Sequence, residues 1–429
     1  MRTLPWRHVH FTGIGGVGMT GLALILRDFG VQVSGTDETD SKNLKLLAGR
    51  GATVVVGHAA GQVGRPDVLV YSSAVPPDNP ERLQAAAQGL PQLRRGDFLA
   101  ELAMAFPRRV SCAGSHGKTT VTAMLSHLLI ENGWEPGYLV GGHVVGRQYP
   151  AAAGCGEILV TEVDESDGTQ ARMQSTHAIV TNVEDDHVWS LGGMEQLQEC
   201  FREFARHTGC LVATDLPETR ALFAGHPDLT LVPEKTVPPD LRLLVPGPHN
   251  RLNATLAVTM AAKLGLAEDT AWRTILTYPG AERRQSVRFA AAGLTVIEDY
   301  AHHPSEVRAT LAALREVYPK SRLRVVFQPH RYERIARFAD GFSRELAKAD
   351  LVTVVPPFAA WVNDADRADP RTIVSGIRGT PATYDERPYP ELARALAADR
   401  RTGDLFVVLG AGSVTALVPM LVSELQKGN

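Results

Sequence analysis

The sequence is poor in cysteine, in net charge and in long apolar runs, and each shortage excludes something. Four cysteines (Cys112, Cys155, Cys200 and Cys210) in 429 residues cannot form the disulfide framework of a small secreted scaffold. Only Cys200, His207 and Cys210 cluster, and no second pair completes a zinc site, so small buried thiols in a reducing compartment are expected. Lys+Arg (44) nearly balance Asp+Glu (47), giving a net charge of -3, so the basic face of a dedicated nucleic-acid binder is not expected. No apolar stretch approaches the roughly 18 residues of a membrane span. The opening MRTLPWRHVHF has no apolar signal core and runs directly into a strand-like segment, so a cytoplasmic location is expected.

What is present is ordinary globular composition, 44% hydrophobic and 21% charged. At about 150 residues per domain the length suggests three domains. Short Val- and Ile-rich runs (HVHFT, VQVSG, TVVV, DVLVYS) alternate with helical patterns such as GMTGLALILRDFG and SKNLKLLAGRG, which stop at glycine. This rhythm predicts α/β units with parallel sheets covered on both faces. It restarts at RRVSCAG after Phe106-Pro107, and at GLTVIEDY after Tyr278-Pro279-Gly280. Three domains are therefore expected over residues 1–106, 107–279 and 280–429. The proline-rich stretch 226–248 reads as a loop with short edge strands inside the second.

The first unit opens HFTGIGGVGMTG, where Gly13, Gly15 and Gly18 fit G-x-G-x-x-G between a strand and a helix. Such a turn lets a pyrophosphate approach the backbone at a helix N-terminus, and Asp37, ending the next strand, stands where an acid would take a ribose hydroxyl. The turn alone leaves a nicotinamide-dependent dehydrogenase open. The second unit argues against that. Gly114-Ser115-His116-Gly117-Lys118-Thr119-Thr120 lies between an apolar strand and an amphipathic helix and reads as a phosphate loop, shortened because Cys112 stands at the first glycine position. Backbone amides would cradle phosphates, Lys118 would neutralise charge, and the Thr119 hydroxyl would reach Mg²⁺. Two acidic strand ends follow: Glu162, Asp164, Glu165 and Asp167, then Asn182, Asp185, Asp186 and His187. Hard oxygen ligands beside a phosphate loop suit ATP and Mg²⁺. In the third unit Asp299, Tyr300, His302 and His303 end one strand, and His330, Arg331 and Arg334 another. The arginines suit a carboxylate or phosphate. A capped, polar helix start is the competing reading for His303 and Glu306.

In order along the chain, GIGGVGM, SGTD, YSSAVPPDNPE, GSHGKTT, TEVDESD, TNVEDDH, GPHNRLN, ERR, DYAHHPSE, FQPHR and LGAGS resemble the Mur ligase family, most closely its alanine-adding members. The resemblance implies a Rossmann-like N-terminal domain for a UDP-sugar, a central P-loop ATPase domain, and a Rossmann-like C-terminal domain for an amino acid. It implies that ATP phosphorylates the lactyl carboxylate of UDP-N-acetylmuramate and that the amine of L-alanine attacks the acyl phosphate. Gly15, Gly16, Gly18, Asp37, His58 and Ser73 would hold the UDP-sugar. Gly114, Ser115, His116, Gly117, Lys118, Thr119, Thr120, Asn250 and Asp299 would hold ATP, and Thr119, Glu162 and His187 would hold Mg²⁺. Tyr300, His302, His330, Arg331 and Arg334 would take the amino acid, with Lys118, His187, His330 and Arg331 at the reacting centre. Trp189 stands where the family has an acid, and Gln285 where it has an aromatic. Related ligases adding another amino acid or a peptide, and a weakly active nucleotide-binding relative, are the alternatives; the sequence singles out neither a monomer nor a homodimer.

Overall fold

The computed structural model describes residues 3–186, 188–238, 241–359 and 368–427, without the side chains of residues 189 and 190. Strands β1 (His8–Thr12), β2 (Gln32–Asp37), β3 (Thr53–Val56), β4 (Val68–Tyr71) and β5 (Gln92–Arg94) form a parallel sheet in the order β3-β2-β1-β4-β5. Val9, Phe11, Val33, Leu69 and Val70 are buried, as parallel strands covered on both faces require. The strand order reverses between β1 and β4, which opens a crevice at their carboxyl ends. The turn Gly13–Gly18 and the pair Ser72–Ser73 follow those two strands.

The second sheet contains β6 (Arg108–Ala113), β7 (Gly137–Leu139), β8 (Ala151–Ala152), β9 (Ile158–Glu162), β10 (Ser175–Val180), β11 (Thr208–Thr214) and β12 (Leu229–Val232). Its order is β12-β11-β10-β6-β9-β7-β8, parallel except between β7 and β8. β6 therefore lies inside the sheet, with the ends of β9 and β10 on either side of the loop that follows it. The proline-rich stretch supplies β12 at the sheet edge and one short turn, Glu234–Thr236, as expected. The β7–β8 pair was not expected, because strands of three and two residues carry no readable alternation.

These two sheets belong to one compact unit, Met1–Leu244 with Arg251–Pro279. A continuous apolar core runs through both, including Phe98, Phe106, Leu159 and Phe201. Phe106, beside the break expected at 106–107, is fully buried and meets Phe29 edge-on at 6.0 Å. Helix Val17–Asp28 packs against the second sheet at Gly21, where a Cβ would stand 3.1 Å from Leu139 and 3.3 Å from Ala151.

The second unit, Val245–Asn250 with Gly280–Asn429, is built on β13 (Ser286–Ala291), β14 (Leu294–Asp299), β15 (Arg322–Phe327), β16 (Leu351–Val354), β17 (Ala382–Tyr384) and β18 (Asp404–Leu409). The order is β13-β14-β18-β15-β16-β17, parallel except for β13. β13 and β14 form a hairpin whose two turn residues, Ala292 (φ +52°) and Gly293 (φ +73°), are both left-handed, the geometry that two-residue hairpins favour. An Ala-Gly turn is a weaker signal than Asn-Gly, and β13 was not anticipated. Among the described residues no helix is long and apolar enough to cross a membrane.

Candidate active site

Gly114 and Gly117 of the loop after β6 have φ of +127° and +86°. A Cβ would stand 2.2 Å from Thr181 Oγ1 at Gly114 and 2.9 Å from Asn253 Oδ1 at Gly117, so both glycines are required by backbone angle and by space. The loop is pinned to the end of β10. Ser115 N–H donates to the Asn182 carbonyl (3.0 Å), His116 N–H donates to Asn182 Oδ1 (2.9 Å), and Asn182 Nδ2 donates back to the His116 carbonyl (3.2 Å). Ser115 Oγ accepts from Glu184 N–H at 2.8 Å. The second acidic strand end thus faces the loop, as its position after an apolar strand implied.

Lys118 opens the helix Lys118–Glu131 and curls back over the loop. Its Nζ donates to the carbonyls of Gly114 (2.7 Å) and Ser115 (3.0 Å) and lies 2.8 Å from Glu165 Oε2. Burial alone would push the ammonium down, but Glu165, Asp164 and Glu162 outweigh it and hold Lys118 above its ordinary range. Burial pushes the Glu165 carboxyl up to about 7 against the pull of Lys118, with Asp164 adding to the rise. Glu165 was one of four acids in its cluster, and nothing in the string DESD marked it as the partner of Lys118. Thr119 and Thr120 are buried on the same helix. Thr119 and Glu162 flank the turn Gly141–Gly142. Glu162 Oε2 accepts from Gly141 N–H (2.9 Å), and a Cβ at Gly141 would stand 2.4 Å from that oxygen. His187 lies outside the described residues.

At the first sheet, Gly15 N–H donates to Asp37 Oδ2 (2.9 Å) and Thr39 N–H to Asp37 Oδ1 (3.1 Å). The acid expected at a ribose therefore also braces the glycine turn. Packing does not demand glycine at Gly16, where a Cβ would find nothing closer than 3.7 Å. His58 Nδ1 lies 2.6 Å from Thr36 Oγ1, and behind them stands Glu81, fully buried. Glu81 Oε2 accepts from the hydroxyls of Thr12 and Thr36, both at 2.8 Å, and lies 3.2 Å from His10 Nε2. Burial pushes its carboxyl up, yet the bonds from His10, Thr12 and Thr36 hold it below its ordinary value. With the Thr36 proton spent on Glu81, His58 must donate through Nδ1, which leaves Nε2 as the acceptor of a neutral ring. A cavity of about 460 Å³, lined by Tyr71, Ser73, Arg82, Arg94, Ser166 and Asp167, opens between β4 and the loop after β9.

In the second unit the expected cluster assembles at the ends of β14 and β15. The His302 ring meets Tyr300 at 5.2 Å and His330 at 5.6 Å. His330 stacks on Phe358 (5.6 Å, 12°), a residue that PPFAAW gave no reason to select. Arg334 is 1% exposed and donates to His330 Nδ1 (3.0 Å), so the neutral His330 ring carries its proton on Nε2. Arg334, expected at the amino acid, thus braces the His330 ring from a buried position. Arg331 has φ of +68°, a strained angle for a side-chain-bearing residue, and its N–H is tied to the Phe358 carbonyl at 2.9 Å.

Two residues expected at ATP have internal partners in this unit. Asp299 Oδ2 accepts from Gln285 N–H (2.8 Å), and Oδ1 accepts from Ala301 N–H (2.8 Å) and Thr310 Oγ1 (3.2 Å). Burial pushes its carboxyl up. Asn250 Nδ2 donates to the Pro246 carbonyl at 2.9 Å. For His303 the capped helix start holds: it is the N-cap of Pro304–Val317, its Nδ1 accepting from Ser305 N–H at 3.4 Å, while Glu306 accepts from His302 N–H at 2.9 Å. Cys112 and Cys210 are buried thiols, pushed up to about 12 and about 11 by burial, whereas Cys155 is exposed.

Residues 8–107 match the model of the Mur ligase family, catalytic domain; residues 112–221 match the Mur ligase middle domain; residues 282–412 match the Mur ligase, glutamate ligase domain. The UDP-N-acetylmuramate–L-alanine ligase of Agrobacterium fabrum is 34% identical, with 97% of each chain covered. That of Sorangium cellulosum is 35% identical over 98% of this chain and 97% of its own. Among solved structures, the UDP-N-acetylmuramate-alanine ligase of Thermotoga maritima superposes with a TM-score of 0.84 at 26% identity, covering 98% of this chain and all of the other. The murein peptide ligase of Psychrobacter arcticus shares the fold, with a TM-score of 0.73 at 20% identity over 97% of this chain and 98% of its own.

Proposed function

Because the chain belongs to the Mur ligase family, we propose that it joins L-alanine to the lactyl carboxylate of UDP-N-acetylmuramate in an ATP-driven reaction of cytoplasmic peptidoglycan precursor synthesis. In this reading a carboxylate oxygen attacks the γ-phosphorus, ADP leaves, and the alanine amine displaces phosphate from the acyl carbon. The observation that carries the proposal is the glycine-constrained loop with Lys118 held against Glu165, on a chain that its alanine-ligase relatives match over 97–98% of its length. Lys118 would exchange Glu165 for a phosphate oxygen and neutralise charge that grows in the transition state. Thr119 and Glu162, hard oxygen donors on side chains that flank the Gly141–Gly142 turn, would hold Mg²⁺, and the family resemblance would add His187. Such an ion would supply neutralisation of phosphate charge. His330, donating through Nε2, and Arg331 would meet the amino acid and the transferring phosphoryl group, with Tyr300 and His302 shaping that pocket. The glycine turn, His58 and Ser73 would hold the UDP-sugar. Three functional domains, 1–106, 107–279 and 280–429, would divide these tasks.

Phosphate release and amide formation, followed with ATP, Mg²⁺ and UDP-N-acetylmuramate across the amino acids, test the proposal. L-alanine should give the highest kcat/KM. A better rate with another amino acid or a peptide would reassign the substrate, and ATP turnover independent of UDP-N-acetylmuramate would sink the reading.

A further inference from the structure

The loop that carries Glu165 is anchored by a corner of the first sheet that no motif marked. β5 turns into the helix Arg95–Ala103, and three successive residues at that turn reach residues 164–172. Arg95 Nη2 donates to Asp164 Oδ2 at 3.1 Å and to Asp167 Oδ2 at 2.9 Å. Gly96 lies so close to Thr169 that a Cβ would stand 1.8 Å from its Oγ1. Asp97 pairs with Arg172. Arg95 also reaches the other way. A Cβ at Gly18 would stand 3.2 Å from both Cδ and Nη1 of Arg95, so the third glycine of the turn makes room for this side chain. The Arg95 side chain, 17% exposed, thus touches the first turn of helix Val17–Asp28, the end of a helix that favours anions. The cavity lined by Ser73, Arg94, Ser166 and Asp167 opens at the same corner.

A guanidinium has five N–H donors and can serve carboxylate and phosphate together. A diphosphate at the glycine turn would add a third anion to one already shared by two aspartates. Asp164 is the next link, because its charge acts on both Glu165 and Lys118. We propose that Arg95 is a positioning residue that couples the two nucleotide sites: it ties the Glu165 loop to the helix start at Gly18, so that a nucleoside diphosphate group bound there changes how firmly Glu165 holds Lys118. The inference rests on the reading of the glycine turn as the UDP-sugar site.

Coupling between sites is reciprocal and is read as a ratio of affinities. ADP is titrated by calorimetry into the full chain, with and without saturating UDP-N-acetylmuramate. In wild type the sugar nucleotide should change the ADP Kd by about fivefold or more. In Arg95→Met that ratio should collapse to within about twofold, with ADP affinity in the absence of the sugar nucleotide little changed, and Arg95→Lys should fall between. The double variant Asp164→Asn, Asp167→Asn keeps the arginine but cuts its ties, and should lose the coupling too. It carries the test alone if thermal melts show that Arg95→Met does not fold. A wild-type ratio retained in the variants overturns the proposal, as does a ratio near one in wild type that binds UDP-N-acetylmuramate. Failure of wild type to bind UDP-N-acetylmuramate at all would instead remove the reading of the glycine turn, and the proposal with it.

Discussion

Lys118 touches two carbonyls and a carboxylate, and these contacts define its task. In the proposed reaction, replacing it by alanine removes a cation from the phosphate cradle without emptying an apolar core. ATP turnover should fall by roughly 10²–10³ or more, with a melting temperature near that of wild type; turnover at the wild-type rate would discard the phosphate-loop assignment. Glu165 makes a separate, pH-dependent prediction. Its carboxyl is raised from 4.5 to about 7 on folding. A group raised in this way contributes stability that is complete below the unfolded value and is lost as pH rises through the folded one. Glu165→Gln does not titrate, so its melting temperature relative to wild type should climb between about pH 4.5 and about pH 7 and level off above that. A flat or falling difference would show that the ion pair with Lys118, not burial, governs this carboxyl. Lys118 was legible because Gly-Lys-Thr at a strand-to-helix junction has few other uses. Glu81 and Arg95 were not. An acid after Asn-Pro and an arginine before Gly-Asp read as ordinary helix starts, and only the folded chain surrounds them with partners.

At the level of elements, the ends of β6, β14 and β15 each deliver a polar turn to the carboxyl edge of a parallel sheet, where α/β proteins bind ligands. The turn after β15 is strained at Arg331. Arg331→Gly should relieve about 1 kcal/mol of that strain and raise the melting temperature, because glycine adopts positive φ freely. The same change should lower product formation sharply through loss of the guanidinium. Arg331→Lys keeps the strain and should lose activity without gaining stability. A melting temperature lowered by Arg331→Gly would show that the side chain holds the turn together rather than being strained by it. Strand–turn–helix signals were readable wherever a long apolar run met glycines. β8 and β13 were missed because one is two residues long and the other is a half-exposed hairpin arm closed by Ala-Gly.

For the whole molecule, the βα rhythm and its two restarts correspond to three sheets. The continuous core through the first two could not be read, since Phe106 and Leu139 look like any other core residues until their neighbours are known. The central claim is that this chain activates a carboxylate by phosphorylation before forming an amide. It is tested most directly with UDP-N-acetylmuramate carrying ¹⁸O in both lactyl carboxylate oxygens, turned over with ATP and L-alanine. One carboxylate oxygen bonds to the γ-phosphorus and departs with it when the amine attacks. The released phosphate should therefore carry a single ¹⁸O, and the amide product should retain the other. Phosphate free of ¹⁸O alongside amide product would contradict activation at the lactyl carboxylate.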